Sequence, residues 1–159
     1  MQKITTFLWF DDQAEEAAQH YVSVFGNGSR IVEVQHYTEA GPREPGTVMT
    51  VTFELAGQRF TALNGGPEFH FTEAVSLQID CDTQEEVDHY WYRLSDGGEE
   101  VQCGWLKDRY GLSWQVVPRQ LLDFSNDPDP AKAKAVFAAM LRMRKLDIKE
   151  LEEAYDAAT

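Results

Sequence analysis

Cysteine, cationic charge and long apolar runs are all scarce in this sequence, and each shortage removes a class of protein. The two cysteines among 159 residues, Cys81 and Cys103, form no CxxC pair and have no histidine at zinc-finger spacing. That excludes a disulfide framework and a structural zinc knot. Both read as buried free thiols, and neither has a basic neighbour in the sequence that would make it a nucleophile. Lys and Arg number 14 against 27 Asp and Glu, for a net charge of −13. A nucleic acid backbone needs clustered cations, and an anionic membrane surface needs them too, so neither is a partner. The cations that do cluster, Lys132, Lys134, Arg142, Arg144 and Lys145, are interleaved with acids and read as a solvated helix face. No stretch approaches the roughly 20 apolar residues that span a bilayer. Met1-Gln2-Lys3-Ile4 lacks the charged-then-apolar layout of a signal peptide, so a cytoplasmic chain is expected. What the sequence does contain is 43% hydrophobic and 12% aromatic residues, enough for one sizeable core.

The apolar residues fall into a pattern that occurs twice. Thr5 to Phe10 reads as a strand, followed by a helical stripe of Ala14, Ala17, Ala18, Tyr21, Val22 and Phe25 with Asp12 as its cap. Gly26-Asn27-Gly28 ends that helix. Strands follow at Arg30 to Tyr37, Thr47 to Leu55 and Gln58 to Leu63, the last two joined as a hairpin by Ala56-Gly57. In the middle strand Met49, Val51, Phe53 and Leu55 alternate with polar residues, so one face is buried. The same order returns as a strand Ala74 to Asp80, a cap at Asp82, a helix Gln84 to Leu94, a stop at Gly97-Gly98, and strands Glu99 to Leu106 and Leu112 to Val117. A shift of 70 residues lays Asp12 on Asp82, Glu15-Glu16 on Glu85-Glu86, Tyr21 on Trp91 and Gly28 on Gly98. The joint register of cap, aromatic and glycine argues for duplication.

The spacing therefore predicts an α+β fold. Two paired βαβββ modules, about 1–66 and 73–118, make one domain over 1–118, with both helices on one sheet face and a cleft on the other. Residues 119–159 have no counterpart in the first module and read as a C-terminal helical extension. In it Ala135, Phe137, Ala138, Met140 and Leu141 form the apolar face of a helix from Ala131 to Lys145, and Asp147 caps a last helix from Ile148 to Ala157.

Three segments carry a resemblance to a known family. They are Phe7-Leu8-Trp9-Phe10-Asp11 running into Gln13-Ala14-Glu15-Glu16-Ala17, then Ala62-Leu63-Asn64-Gly65-Gly66-Pro67, then Cys103-Gly104-Trp105-Leu106-Lys107-Asp108 with Tyr110-Gly111-Leu112-Ser113-Trp114-Gln115. With their order they resemble the PhnB-like branch of the vicinal oxygen chelate superfamily, the group of glyoxalases, bleomycin-resistance proteins and extradiol dioxygenases. The branch often carries the label 3-demethylubiquinone-9 3-methyltransferase-like. Neither Gly26-Asn27-Gly28 nor Gly65-Gly66 follows a strand and opens a helix as a nucleotide loop must, so methyl transfer is not supported.

The resemblance implies a homodimer and, in metal-using relatives, four ligands projecting into the cleft, two from each module. Carried across, those positions fall on Thr6, near Asn64, on Ser76 and on Gln115. All four are neutral side chains, and hydroxyls and amides compete poorly with water for a first-row metal. The expectation is a cleft that holds a small organic molecule with no metal and no cofactor. Thr6, Asn64, Ser76, Gln78 and Gln115 supply its polar points, Trp105 and Trp114 its aromatic wall, and His70 lies on a loop able to close over it. No residue pair marks a general acid and base. Two rival readings remain open. One is a metal-dependent lyase, isomerase or dioxygenase using His70 and Glu68, and the other is a non-catalytic protein that sequesters small molecules.

Overall fold

The computed structural model describes residues 2–158. The chain forms two compact units, one ending at Phe71 and one beginning at Thr72. Each contains a four-stranded sheet, with strand orders β1-β4-β3-β2 and β5-β8-β7-β6. The α+β character and the repeated module are therefore as the spacing predicts, each module has its own sheet where one shared sheet is expected, and the C-terminal helices belong to the second unit.

In the first unit β1 (Thr6–Phe10), α1 (Ala14–Phe25), β2 (Arg30–His36), β3 (Val48–Leu55) and β4 (Gln58–Asn64) follow one another. β1 runs parallel to β4, and β3 is antiparallel to β2 and β4. Ala14, Ala17, Ala18, Tyr21 and Val24 are buried. Three small residues on that stripe let α1 lie close against the strands, and the Tyr21, Phe53 and Phe60 rings stack beneath it. The cap is not Asp12. The helix starts after Gln13 with no local side-chain cap, and its Ala14 N–H donates instead to Asn64 Oδ1 at 2.8 Å, fifty residues downstream.

The second unit repeats the order with β5 (Ser76–Cys81), α2 (Gln84–Ser95), β6 (Glu99–Glu100), β7 (Trp105–Lys107) and β8 (Ser113–Pro118). Thr83, not Asp82, caps α2, accepting from Glu86 N–H at 3.2 Å, while Glu86 Oε1 accepts from Asp82 N–H. Glu86 thus reaches back to the residue before the cap, one position beyond the donor of a capping box. Val87, Trp91 and Leu94 are buried, and the Trp91 indole N–H donates to Glu100 at 2.7 Å. The strand expected over Glu99 to Leu106 is broken in two, because Cys103 and Gly104 both take positive φ, 61° and 82°. The turn they make has a second use. Cys103 N–H donates to Met143 O and Gly104 N–H to Arg144 O, each at 2.8 Å. A side chain at Gly104 would meet Leu146 at 2.9 Å and Val116 O at 3.0 Å. Glycine is what allows the tail to seat there.

That tail is α3 (Arg119–Ser125), α4 (Pro130–Leu141) and α5 (Ile148–Ala157). Asp129 and Asp147 cap the last two helices. Val117, Leu121, Val136, Ala139, Met143, Leu146 and Leu151 form their core. The expected apolar face of α4 is displaced by one position: Val136 and Ala139 point inward, while Phe137 and Leu141 are about half exposed at 54% and 51%. The Gln84 side chain ties the tail to α2, donating to Leu146 O and accepting from Ile148 N–H. Among the described residues no helix is long and apolar enough to cross a membrane.

Candidate functional site

Each sheet has one face beneath its helix and one far face, and strict alternation assigns every strand residue to one or the other. In the second sheet Leu77, Ile79 and Cys81 lie level with Trp114, Val116 and Pro118, and Leu106 lies level with Trp114. These are the helix-side residues. The far face therefore carries two rows across β7, β8 and β5. One is Lys107, Ser113 and Ser76, the other Trp105, Gln115 and Gln78. The rows are tied together by Gln115 Nε2 donating to Ser76 Oγ at 2.9 Å. Gln78 is exposed and donates to Asp80 at 2.8 Å, while Ser76, Trp105, Lys107 and Gln115 are half-buried. Val117, next along β8 on this face, already belongs to the core of the tail.

Ser76, Gln78, Trp105 and Gln115 thus lie side by side on one face, whereas Thr6, Asn64 and Trp114 lie on the helix sides of their sheets and His70 on an exposed segment. Thr6 pairs with Phe60 and shares the helix side with Leu8 and Phe10. The 70-residue shift fails here because three residues separate β1 from α1 and only two separate β5 from α2. A one-residue slip reverses the face of every side chain in a strand. The register counterparts of Ser76, Gln78 and Gln115 are Thr5, Phe7 and Thr61. Asn64 is likewise on the helix side. It is 6% exposed, its amide caps Ala14 and donates to Val48 O at 3.1 Å, and its own carbonyl accepts from the Tyr37 hydroxyl at 2.6 Å. Trp114 is 2% exposed and donates its indole N–H to Asp108 at 2.9 Å. As the neighbour of Gln115 it cannot share that residue's face. His70 is exposed, in the segment after β4, between Phe69, edge-on to Trp9, and Phe71, edge-on to Phe10.

Two residues of the face escaped the sequence reading. Lys107 and Ser113 lie two positions from Trp105 and Gln115, so period two alone would have found them. Lys107 forms an ion pair with Glu73. The Glu73 hydrogen bond raises the ammonium pKa, and the same bond lowers that of the Glu73 carboxyl. Ser113 is 1% exposed and its hydroxyl has no hydrogen-bond partner.

The far face of the first sheet is chemically different, with Phe7, Thr61, Thr52 and Glu33 in one row and Trp9, Leu63, Thr50 and Gln35 in the next. Trp9 is held in place: its indole N–H donates to Gly66 O at 2.9 Å, and Gly65 lies so close that a Cβ would fall 2.3 Å from the ring. A hollow of about 710 Å³ beside Asp12, Glu15, Arg43 and Glu44 is open and has Pro42 and Val48 as its apolar wall.

A metal fits poorly. Among the described residues no three His, Cys, Asp or Glu side chains are gathered so as to hold an ion. The positions that the resemblance points to, Thr6, Asn64, Ser76 and Gln115, supply neither carboxylate nor imidazole, and neither do the register counterparts Thr5 and Thr61. Cys81 is buried, and burial followed by the charges of Glu86, Asp80 and Asp82 pushes its thiol up to about 12, which leaves it protonated and unreactive at neutral pH.

Residues 2–117 match the family model described as 3-demethylubiquinone-9 3-methyltransferase. A PhnB protein from Bacillus cereus is similar at 41% identity, with a TM-score of 0.67 over 74% of this chain and 99% of its own. Protein PA1353 from Pseudomonas aeruginosa matches at 18% identity and a TM-score of 0.59, over 74% of this chain and 98% of its own. The fosfomycin resistance protein FosX from Mesorhizobium loti matches at 13% identity and 0.52, over 74% and 92%. The last two likenesses establish the fold alone. No curated protein matches the chain.

Proposed function

Because the chain belongs to the PhnB-like, 3-demethylubiquinone-9 3-methyltransferase-like family, a branch of the glyoxalase and bleomycin-resistance superfamily, we propose that it binds a small organic molecule on the far face of its second sheet, without a resident metal. One observation carries this reading: the two rows Lys107, Ser113, Ser76 and Trp105, Gln115, Gln78 set two hydroxyls, two amides, one cation and an indole side by side. The indole offers a surface on which a ring can stack, and the polar groups around it offer points that fix orientation. The absence of a gathered donor set is what favours the metal-free form, and no observation favours ligation by His70 and Glu68. Methyl transfer, named in the family description, finds no support. Gly65 and Gly66 follow β4 but lead into an irregular segment, and Gly26 ends a helix instead of opening one. Assembly as a homodimer is part of the same proposal and rests on the family resemblance.

The test is a thermal-shift screen of small organic molecules against the purified chain, with Gln115→Ala and Trp105→Ala in parallel. Compounds that raise the melting temperature of the wild type and lose that effect in both variants support the face. Compounds equally effective on all three proteins refute it. Elemental analysis after purification without chelator accompanies the screen, and stoichiometric zinc, iron, manganese or nickel would overturn the metal-free reading.

A further inference from the structure

The row of Lys107, Ser113 and Ser76 contains a side chain whose chemistry the fold itself does not use. Ser113 sits at the centre of the row, level with Lys107 on one side and Ser76 on the other. It is 1% exposed, and its hydroxyl neither donates nor accepts a hydrogen bond. Ser76 is not in that position, because its Oγ already accepts from Gln115. A buried hydroxyl without a partner is costly to keep, whereas valine or alanine would fill a strand position without that penalty. Its neighbour Lys107 is engaged by Glu73, a side chain 58% exposed in the irregular segment that precedes β5. Both members of the pair reach solvent, and such ion pairs are worth little and exchange readily.

We propose that Lys107 and Ser113 form the receptor for a carboxylate on the bound molecule, and that Glu73 occupies the Lys107 half of that receptor as an internal substitute until that molecule arrives. This inference rests on the reading of the far face given above and specifies its ligand class as a small organic acid. Three features select a carboxylate over a doubly charged phosphate. Only one cation lies in the two rows. Glu99 is level with Lys107 on the same face and would repel a second negative charge. A carboxyl group, that of Glu73, is already seated on the ammonium. The organic body of the acid would then extend over the second row, where the Trp105 indole stands level with Gln115. No bond is made or broken in this step: one carboxylate displaces another from the same ammonium, and the serine hydroxyl donates to the newcomer.

Titrations monitored by amide and indole NMR signals of the full chain test this, with benzoate and indole-3-acetate as acidic probes and their amides as neutral controls. The expected result is that the acids shift the Lys107, Ser113 and Trp105 signals at about tenfold lower concentration than the amides. Lys107→Met should abolish that preference, bringing acids and amides to the same concentration range, and Ser113→Ala should reduce it. Glu73→Gln removes the competitor and should tighten binding of the acids by about two- to fivefold. Equal response to acids and amides, or no gain in Glu73→Gln, overturns the carboxylate receptor while leaving small-molecule binding intact. If neither class of probe moves the Trp105 and Gln115 signals, both readings fall together.

Discussion

The two modules answer the same structural demand with different residues, and their far faces differ in the charge and polar groups they carry. In the first, the buried polar anchor is Asn64. Its neutral amide caps α1 and reaches Val48, while its backbone carbonyl receives the Tyr37 hydroxyl. In the second, the anchor is Asp108, whose carboxyl oxygens accept from Tyr110 N–H, Leu112 N–H and the Trp114 indole. Helix α2 needs nothing from that anchor, because Thr83 and Glu86 cap it locally. The first module draws a strand residue into helix capping, and the two rows of its far face carry threonine, leucine and aromatic rings with Glu33 and Gln35 at one edge and no cation. The second keeps serine, glutamine and lysine on its far face.

Four measurements would break or sharpen this contrast. Asp108→Ala leaves three donors unmatched in a site that is 3% exposed, and should cost about 3–5 kcal/mol in chemical denaturation, with Asp108→Asn recovering part of the loss. Asn64→Ala should cost about 1–3 kcal/mol, since it uncaps α1 and deprives Val48 O of a donor inside the protein. Thr83→Ala should cost only about 1 kcal/mol, because water can replace an exposed cap. If Asn64→Ala and Thr83→Ala prove equal, capping from a distance carries no more weight than capping in place. The smallest effect is on acid titration. The Glu73 carboxyl pKa is lowered by Lys107, so the contribution of this pair is complete at neutral pH, above the ordinary value of 4.5, and is lost as the pH falls below that value through the lowered one. The side-chain carbon shift of Glu73 should therefore titrate below the ordinary glutamate value of 4.5, and Lys107→Met should return it toward that value.

Much of the fold was legible because its signals are local. The alanine and tyrosine stripe of α1, the Ala56-Gly57 hairpin and the glycine stops declare themselves within a few residues. What the sequence hid depends on counting. One residue fewer between β5 and α2 than between β1 and α1 was enough to put Thr6 on the wrong face. Trp114 and Gln115 could not both have lined a cleft, since neighbours in a strand point opposite ways. Asn64 looked like a site residue because nothing in its own segment reveals that Ala14 needs an acceptor. In α4 an alanine-rich stretch offers two plausible stripes one position apart, and only packing against Leu121, Leu146 and Leu151 selects Val136 over Phe137. Lys107 and Ser113 were overlooked for a simpler reason: a lysine and a serine on a strand ordinarily mean solvent.

The seating of the tail on the Cys103-Gly104 turn has a consequence for anyone who would shorten this protein. The Bacillus relative is matched over almost its full length by 74% of this chain, and the family model ends at residue 117, which invites treating everything after β8 as an accessory. Yet the tail supplies the acceptors for two backbone donors of that turn, covers Val117, and occupies both ends of the Gln84 side chain. Cutting it away would expose a sticky apolar scar on the very module that carries Trp105 and Gln115. A minimal version should be built by redesigning Gly104, Val117 and Gln84 together with the truncation, since the extension is stitched into the sheet it follows.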